Sequence, residues 1–392
     1  MGLAVARRRL LAGAGAAFCV GALAGCGAVS GRGAGSVGGP LLRLTPPRAS
    51  VDRITHITAC TRPFRVEGPR IELERIGDKD VVHHYGHGGS GWSLSWGSGA
   101  VAVEKTMATG QRDIAVIGCG AIGLTTAILL QRAGAKVTIY AKDLPPGVAS
   151  SYASGVWSPD SRICLEQHAT PAFKSLWEGM CRRSFVAYQG LLGLPASPVE
   201  WIDSYYIPDG SGPSAPAEPD ARPKFAELRR ELVPDLSPGR QDFAPGSHPF
   251  GEGTVRRNTF MMFNIAPYFR MLMSDFLING GHVEVREFHH PADFAALPQK
   301  TLVNCTGYGA RALFRDESVV PVRGQLARMM PQAGVDYGLF HRQVSFVPRK
   351  DGLVFQFVGP DDYFGYGDAS TEPDRAEAEL AVRTIAGLFA TA

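Results

Sequence analysis

Three groups of residues in this sequence have the types and spacing that chemistry requires. Arg62 lies in residues 61–65 (TRPFR), and a guanidinium can hold a carboxylate through two parallel hydrogen bonds. Residues 84–92 (HYGHGGSGW) combine histidines with glycines, and residues 118–123 (GCGAIG) have the glycine spacing of a dinucleotide-binding turn. The alternative for Arg62 is a structural ion pair. The glycine spacing becomes informative only in the right structural context.

The elements around residues 118–123 supply that context. Residues 114–117 form an apolar run typical of a buried strand, residues 124–132 have a buried helix pattern, and residues 136–140 predict a second strand. A helix that begins in the glycine turn offers free N–H groups to a phosphate. The candidate cofactor contacts here are Gly118, Gly120, Ala121, Ile122 and Gly123. Asp143, just beyond the second strand, is either a ribose partner or a solvated loop residue.

Composition and charge argue against several other classes of protein. The formal net charge is +3 and the basic residues are dispersed, so no nucleic-acid surface is expected. The seven cysteines form no CxxC pair, although one disulfide remains open. His83, His84 and His87 lack further ligands at a suitable spacing, so we predict no metal site.

The first fifty residues predict export rather than a fold. Residues 7–11 (RRRLL) resemble a twin-arginine signal, and the apolar run that follows is too short to span a bilayer. Residues 23–26 (LAGC) resemble a bacterial lipobox, which would make Cys26 a lipid-anchored first residue at the cell membrane. A plain secretory signal with an incidental cysteine is the alternative. Residues 27–52, rich in Gly, Pro, Ser and Arg, predict a flexible tether.

Beyond these motifs the chain resembles the D-amino-acid oxidase family of FAD-dependent amine oxidoreductases. The resemblance is carried by residues 303–307 (VNCTG), 323–325 (RGQ) and 139–159, together with TRPFR and the HYGHGGSGW block. In that family the glycine fingerprint opens the chain and the glycine–histidine block closes it, whereas here the closing segment comes first. The resemblance therefore implies a circular permutation, and it predicts that the region of Ile54 lies beside the carboxyl terminus.

The fold implied by the resemblance is α/β, with an FAD-binding Rossmann-like domain and an antiparallel-sheet substrate domain. Its predicted boundaries are an export signal 1–26, a tether 27–52, an FAD-binding domain 53–160 (permuted block 53–105 plus fingerprint block 111–160), a mainly substrate domain 161–357 with interleaved FAD-domain strands in 283–325, and a C-terminal segment 358–392 near the permutation point.

The resemblance also implies site residues. Further cofactor contacts would be Gly88, Ser90, Gly91, Trp92, Ser93, Ser150, Gly155, Val156, Trp157, Phe288 and Thr306, with Phe288 at the end of a strand 283–288. Arg62 would be the catalytic carboxylate clamp and Gly89 would lie by the substrate. His341 and Ser345 stand where the family has two tyrosines, and both are candidate substrate contacts. Gln356 stands where the family usually has a glycine.

The implied activity is oxidative deamination of a D-amino acid to a 2-oxo acid, ammonia and hydrogen peroxide, by hydride transfer to N5 of FAD with molecular oxygen as acceptor. Two alternatives stay open. One is a glycine, acidic D-amino-acid or other amine oxidase or dehydrogenase of the same superfamily. The other is an inactive, lipid-anchored flavoprotein that binds an amino acid.

Overall fold

The computed structural model describes residues 41–209 and 221–390, which are built on two β-sheets. The larger sheet has eight strands, and its neighbours pair antiparallel except for one parallel pair, the fifth and sixth strands of the order below. In order across the sheet the strands are β1 (His56–Arg65), β11 (Val319–Met329), β14 (Gly352–Phe357), β13 (Val344–Arg349), β12 (Gly338–His341), β6 (Val199–Tyr206), β8 (Val255–Phe263) and β7 (Gln241–Phe243).

The smaller sheet has six strands, five of them parallel, with one antiparallel strand at its edge. In order they are β2 (Arg70–Ile76), β3 (Lys79–Tyr85), β10 (Thr301–Asn304), β4 (Asp113–Ile117), β5 (Lys136–Ala141) and β9 (His282–Val285). The inner strands are apolar runs because helices and loops cover both of their faces.

Helices flank both sheets. They are α1 (Gly91–Met107), α2 (Ala121–Arg132), α3 (Pro171–Gln189), α4 (Arg229–Leu232), α5 (Ile265–Ile278), α6 (Ala310–Leu313) and α7 (Arg375–Gly387). Helices α1 and α2 pack against each other beside the six-stranded sheet, and α7 packs against β11, β13 and β14 on one face of the eight-stranded sheet. Six short 3₁₀ helices complete the described elements: Val51–Arg53, Ala149–Tyr152, Glu166–His168, Pro234–Leu236, Pro291–Ala296 and Gly307–Gly309. No described helix is both long enough and apolar enough to cross a membrane.

The fingerprint unit forms as the sequence predicts. Strand β4 leads through Gly118 into α2, and β5 follows beside β4. Gly118 has φ +110°, and a Cβ there would lie 2.6 Å from the carbonyl oxygen of Cys305, so the turn requires glycine. The predicted strand 283–288 is shorter, because β9 ends at Val285 where its partner β5 also ends. Phe288 therefore lies in the loop that follows.

The structure differs from the predicted domain boundaries at two places. Strand β1 and residues 319–325 of β11 are both predicted to belong to the FAD-binding domain. They pair with each other in the eight-stranded sheet instead of joining the six-stranded sheet, which places Arg62 in the larger sheet. Residues 41–52, assigned to a flexible tether, are docked: the Leu42 N–H donates to the Ser247 carbonyl (2.8 Å) and the Tyr337 hydroxyl donates to the Thr45 carbonyl (2.6 Å). The export signal, Cys26 and the rest of the tether lie outside the described residues.

The two ends of the described chain meet. The 3₁₀ helix Val51–Arg53 contacts α7, and Ile54 packs in the same apolar cluster as Leu388 and Phe389. The expected closeness of the Ile54 region to the carboxyl terminus is therefore found. The permutation itself stays a prediction.

Candidate functional site

One cleft of about 950 Å³ connects the two sheets. At one end it is lined by the loops that follow the carboxyl ends of β3, β4, β5 and β10, which is where parallel α/β sheets bind ligands. At the other end it is lined by β1, β11 and β14 of the eight-stranded sheet. Most of the predicted site residues lie along this cleft: Arg62, Gly88, Gly89, Gly91, Trp92, Gly118, Gly120, Ala121, Ile122, Asp143, Ser150, Phe288 and Thr306.

The glycine turn forms one wall of the cleft. A Cβ at Gly120 would meet only the Ser150 Oγ at 3.0 Å, so the backbone is open to a ligand there. Ser150 Oγ accepts a hydrogen bond from the N–H of Ala121 (3.1 Å), which joins its loop to the start of α2. Gly123 does not line the cleft. A side chain at this position would lie 2.1 Å from the Gly118 carbonyl oxygen, so Gly123 permits α2 to pack closely on the turn.

The far end of this wall has the polar residues expected near an adenosine. Asp143 lies two residues beyond the end of β5, and Thr306 follows β10. Asn304 Oδ1 accepts hydrogen bonds from the Thr306 hydroxyl (2.7 Å) and N–H (3.3 Å), and its amide lies 3.1 Å from His83 Nδ1. Asn304 therefore fixes Thr306 at the cleft.

The glycine–histidine block brings the start of α1 to the cleft. Gly88 has φ +55°, and a Cβ there would lie 1.9 Å from the Arg162 carbonyl oxygen. The N–H of Gly89 donates to the Ser161 carbonyl (2.9 Å), and the Trp92 indole N–H donates to the Ser150 carbonyl (2.9 Å). The block thus forms a rigid strip of backbone between the two ends of the cleft.

Ser90 and Ser93, predicted as cofactor contacts, do not line the cleft. The Ser90 hydroxyl donates to the Ser161 carbonyl (3.0 Å), and Ser93 Oγ accepts from the N–H of Ser158 (2.8 Å). Both serines fasten the block to the neighbouring loop.

Two buried histidines line the middle of the cleft. His84 and His87 have ring centroids 5.1 Å apart, and Nε2 of each lacks a hydrogen-bond partner among the described residues. Burial lowers the pKa of His87 to about 3 and holds the pKa of His84 well below its usual range. Both rings are neutral near pH 7. Sequence reasoning considered them only as metal ligands and missed this placement, although their position inside the block was a usable signal.

Arg62 lies at the end of the cleft that the eight-stranded sheet lines, and its charge is unpaired. Its Nη1 donates to the Arg323 carbonyl (2.9 Å), and no carboxylate of the described residues lies within ion-pair distance. Burial lowers the pKa of this guanidinium. The guanidinium lies over Gly324, where a Cβ would be 2.3 Å from Nη2. This environment favours an incoming carboxylate over the alternative of a structural ion pair.

Arg65, the second arginine of the TRPFR segment, is held by structural contacts. It donates to Ser318 Oγ (2.8 Å) and to the Gly68 carbonyl (3.0 Å), and it lies 3.8 Å from Asp316. The two arginines of the TRPFR segment therefore have different environments and different roles.

A second group of predicted contacts lies away from the cleft. Gly155 and Val156 pack against β8, where Val156 bridges Met262, and the N–H of Trp157 donates to the Met261 carbonyl (3.0 Å). The Trp157 side chain is buried in the core beside Phe185. The chain turns toward β8 after Ser154, which removes these three residues from the cleft lining.

The two residues at the family's tyrosine positions also lie off the cleft. His341 pairs with Val344, whose side chain belongs to the core beneath α7, so the histidine is on the opposite face of the sheet. Its Nδ1 lies 3.0 Å from the Ile207 carbonyl oxygen. Ser345 is on the cleft side, beside Gln356, but only Gln356 reaches the lining. Sequence reasoning did not place Gln356, Thr58, Cys60 or Leu326 in the site.

The described residues contain no group of three side chains suited to holding a metal ion. The five cysteines within this part of the chain are all free thiols: Cys60, Cys119, Cys164, Cys181 and Cys305.

Comparison with known sequences finds similarity to FAD-dependent oxidoreductases. Residues 113–391 match the sequence model of the family described as FAD dependent oxidoreductase (DAO). Similar proteins include the D-amino-acid oxidase of Rubrobacter xylanophilus, 29% identical over 278 residues (70% of this chain and 76% of the relative). The D-amino-acid oxidase of Dictyostelium discoideum is 27% identical over 285 residues (71% and 74%).

Among solved structures, glycine oxidase from Geobacillus kaustophilus aligns with a TM-score of 0.42 at 13% identity, covering 62% of this chain and 70% of that chain. Iminodiacetate oxidase from Chelativorans sp. BNC1 aligns with a TM-score of 0.47 at 13% identity, covering 71% and 79%.

Proposed function

The chain belongs to the DAO family of FAD-dependent oxidoreductases, and we propose that it oxidises a D-amino acid, with molecular oxygen as electron acceptor. The products would be a 2-oxo acid, ammonia and hydrogen peroxide. The observation that carries the proposal is Arg62, an arginine without a carboxylate partner at the substrate end of the cofactor cleft.

The residues of the cleft fit FAD. The helices α1 and α2 begin at the cleft, and each helix start offers free N–H groups and partial positive charge to a phosphate or a polar ring oxygen. Asp143, two residues beyond the end of β5 in the cleft lining, would accept a hydrogen bond from a ribose hydroxyl. The unpartnered Nε2 atoms of His84 and His87 offer hydrogen bonds along the middle of the cleft. When bound, FAD supplies the two-electron acceptor.

The protein's own residues would bind and orient the substrate. Arg62 would hold the substrate carboxylate through two N–H groups, and a charge-assisted pair of this kind fixes direction as well as position. Gly88 and Gly89 would line the substrate position with backbone alone, because their missing side chains leave room for Ser161 and Arg162 to pack against them. The neutral rings of His84 and His87 add no positive charge that would repel an amine. Substrate binding therefore depends chiefly on one arginine.

The test uses the flavin-loaded protein and a panel of D-amino acids, L-amino acids, glycine and simple amines. We expect a D-amino acid to bleach the flavin without oxygen and to release peroxide in air. Arg62→Ala should raise KM by tenfold or more, since a hydrogen bond to a charged group contributes roughly 1.5–3 kcal/mol. The exposed Arg75→Ala is the matched control. Flavin that no compound in the panel bleaches would overturn the proposal.

The same panel separates the alternatives. Glycine or a secondary amine as best substrate would indicate another amine oxidase of the superfamily. Flavin that is bleached but passes electrons only to a dye would indicate a dehydrogenase.

The order of the motifs supports a circular permutation. The family match begins at residue 113, immediately before the fingerprint turn, and the glycine–histidine block precedes it. In the six-stranded sheet, β10 nevertheless lies between β3, which leads into that block, and β4, which leads into the fingerprint turn, and it pairs with both. We infer that β1 to α1 correspond to the family's closing segment, moved to the front.

The sequence before residue 27 supports export with a lipid anchor at Cys26. The test is to express the full chain in a bacterial host with lipoprotein processing and to separate membrane from soluble fractions. We expect the protein in membranes and Cys26→Ala in the soluble exported fraction. If the parent and Cys26→Ala distribute equally between the membrane and soluble fractions, the proposed lipid anchor at Cys26 is wrong.

A further inference from the structure

A row of side chains extends from Arg62 across the cleft face of the eight-stranded sheet. Thr58, Cys60 and Arg62 alternate on β1 and therefore share one face. Leu326 on β11 is paired with Thr58, and Gln356 on β14 lies beyond Leu326. All five residues line the cleft.

Two polar groups in this row have no partner. Gln356 is only 8% exposed as a residue, it lines the cleft, and its carboxamide makes no hydrogen bond with any described residue. The Thr58 hydroxyl is buried and likewise lacks a partner. Buried polar groups are nearly always hydrogen-bonded, since leaving one unpaired costs about 1–3 kcal/mol. A buried hydroxyl without a partner and a carboxamide without a partner that faces the cleft, one on each side of an apolar side chain, point to a ligand that supplies the missing bonds.

The position relative to Arg62 identifies the part of the ligand concerned. The guanidinium lies over Gly324, and Leu326 is two residues further along β11, about 7 Å away. A substrate held by its carboxylate at Arg62 would extend its side chain over Leu326, between Thr58 and Gln356.

We propose that Thr58 and Gln356 form the side-chain subsite of the substrate and select amino acids with a short, uncharged, hydrogen-bonding side chain, a carboxamide or a hydroxyl. This inference rests on the proposed function of the cleft. It concerns which amino acid is preferred, whereas the proposed function concerns whether an amino acid is oxidised.

The charges around the subsite exclude the other side-chain classes. The other charged residues of the cleft lining, Lys142, Asp143, Arg286 and Glu287, follow β5 and β9 at the adenosine end. A basic side chain would find no carboxylate in this row. Arg328 lies two residues beyond Leu326 on the same face of β11, but it donates to the Ser151 carbonyl and is not part of the cleft lining, so the lining of this row presents no second cation to an acidic side chain. A branched apolar side chain would bury the two polar groups without satisfying them, which is the stronger form of rejection.

The experiment compares D-asparagine and D-serine with D-leucine and D-aspartate, using the flavin-loaded protein. We expect kcat/KM for D-asparagine to exceed that for D-leucine by tenfold or more. Gln356→Leu should lower the ratio of the two values by at least tenfold, and Thr58→Val should lower it by a smaller factor. D-alanine, whose side chain is too short for the subsite, should be affected little. Gln241→Leu, an exposed glutamine at the far edge of the same sheet, is the control.

Binding of unreactive carboxylates gives a readout without turnover. Succinamate and 4-methylpentanoate are D-asparagine and D-leucine without their amino groups, and perturbation of the flavin spectrum reports their Kd. Succinamate should bind more tightly than 4-methylpentanoate, and Gln356→Leu should reverse the order.

The two possible failures are distinguishable. Oxidation of D-leucine or D-aspartate in preference to D-asparagine, with a ratio that Gln356→Leu leaves unchanged, would overturn the subsite while keeping the oxidase. Absence of oxidation of any amine would overturn the proposed function, and the order of carboxylate affinities would still decide the subsite.

Discussion

At the scale of single residues, Arg62 differs from two nearby arginines of the eight-stranded sheet that pair with carboxylates. Arg323, next to Gly324 in sequence, pairs with Glu377 at 3.0 Å, and Arg349 pairs with Asp351. Arg62 has only a backbone carbonyl as partner. Arg328, on the same face of the sheet, also lacks a carboxylate partner among the described residues, but it donates to the Ser151 carbonyl and does not line the cleft. Arg62 is therefore the guanidinium that the eight-stranded sheet presents to a carboxylate in the cleft.

Gly324 leaves room for the Arg62 guanidinium, because any side chain at this position would occupy the space where the guanidinium lies. We expect Gly324→Ala to push the guanidinium aside and raise the KM of the amine substrate about tenfold, with a smaller change in kcat. In the Arg62→Ala background the same substitution should change KM little, because the group it displaces is gone. Steady-state kinetics of the four proteins measure this. Equal effects in both backgrounds would show that Gly324 acts through general packing instead.

His87 makes stability depend on pH. The folded ring stays neutral down to a pKa of about 3, whereas the unfolded ring takes up a proton near 6.5. The unfolded state therefore binds more protons between these values, and the free energy of unfolding falls as the pH is lowered through 6.5. His87→Gln should lose less stability than the parent between about pH 7.5 and about pH 5, by up to about 2 kcal/mol.

Urea unfolding at the two pH values, in one flavin state, measures this difference. His56→Gln, an exposed histidine at the start of β1, is the control and should behave like the parent. A parent and a His87→Gln variant with the same pH dependence would contradict the buried, neutral ring.

At the scale of elements, two arginines of the eight-stranded sheet fasten the loop that carries Ser150. Arg328 Nη2 donates to the Ser151 carbonyl (2.8 Å), and Arg349 Nη1 donates to the Ala153 carbonyl (2.6 Å). Ser150 in turn holds the first N–H of α2. The eight-stranded sheet thus positions the loop that carries Ser150, and through Ser150 the start of α2, on the glycine-turn wall of the cleft.

Arg328→Met should weaken FAD binding while keeping the fold. The change removes one hydrogen bond to the Ser150 loop and keeps most of the side-chain volume, so we expect the Kd of FAD to rise roughly fivefold, as a loss of about 1 kcal/mol implies. Fluorescence titration of the flavin-free protein measures this Kd, with the exposed Arg75→Met as control. An unchanged FAD Kd together with a raised substrate KM would place the role of Arg328 at the substrate instead.

The difference between local and distant interactions decides how much the sequence could predict. The β4–α2–β5 unit followed from an apolar run, a glycine turn and a helix pattern that are adjacent in the chain. The sheet to which β1 belongs could not be predicted, because Arg62 pairs with Val322, some 260 residues away. The same holds for the site: Gly118 and Asp143 lie in a local motif, whereas Gln356 and Thr58 meet only through strand register. Trp157 was misplaced because its N–H binds β8, which no local pattern indicates.

At the scale of the whole molecule, neither sheet follows chain order. The six-stranded sheet takes β2 and β3 from before the fingerprint and β9 and β10 from well after it, and the eight-stranded sheet joins β1 to β11. In addition, the first and the last described residues contact the same segment. Leu42 binds the Ser247 carbonyl, and the Phe389 ring lies 5.4 Å from the Phe250 ring, so both ends meet on residues 247–250.

A chain in which the fingerprint block comes first and the segment from β1 to α1 comes last should therefore fold. Residues 111–390, a linker of about eight Gly and Ser residues, and then residues 41–110 would open the exposed turn at Gly110 and close the gap between Ala390 and Leu41. Such a linker spans roughly 16 Å, enough for ends that meet on one short segment. Gly110 has no neighbour near its Cβ position, so a break there removes little packing.

We expect the reordered chain to bind FAD with a Kd within a few-fold of the parent and to oxidise the same substrate, as flavin titration and peroxide release would measure. The control keeps the original order and inserts the same linker after Gly110. If the control binds FAD and the reordered chain is insoluble or does not bind it, the two blocks depend on their present order, and the permutation is wrong. If the reordered chain and the control both bind FAD, the sequence order of the two blocks does not matter for the cleft. Contacts across the two sheets then suffice to assemble it.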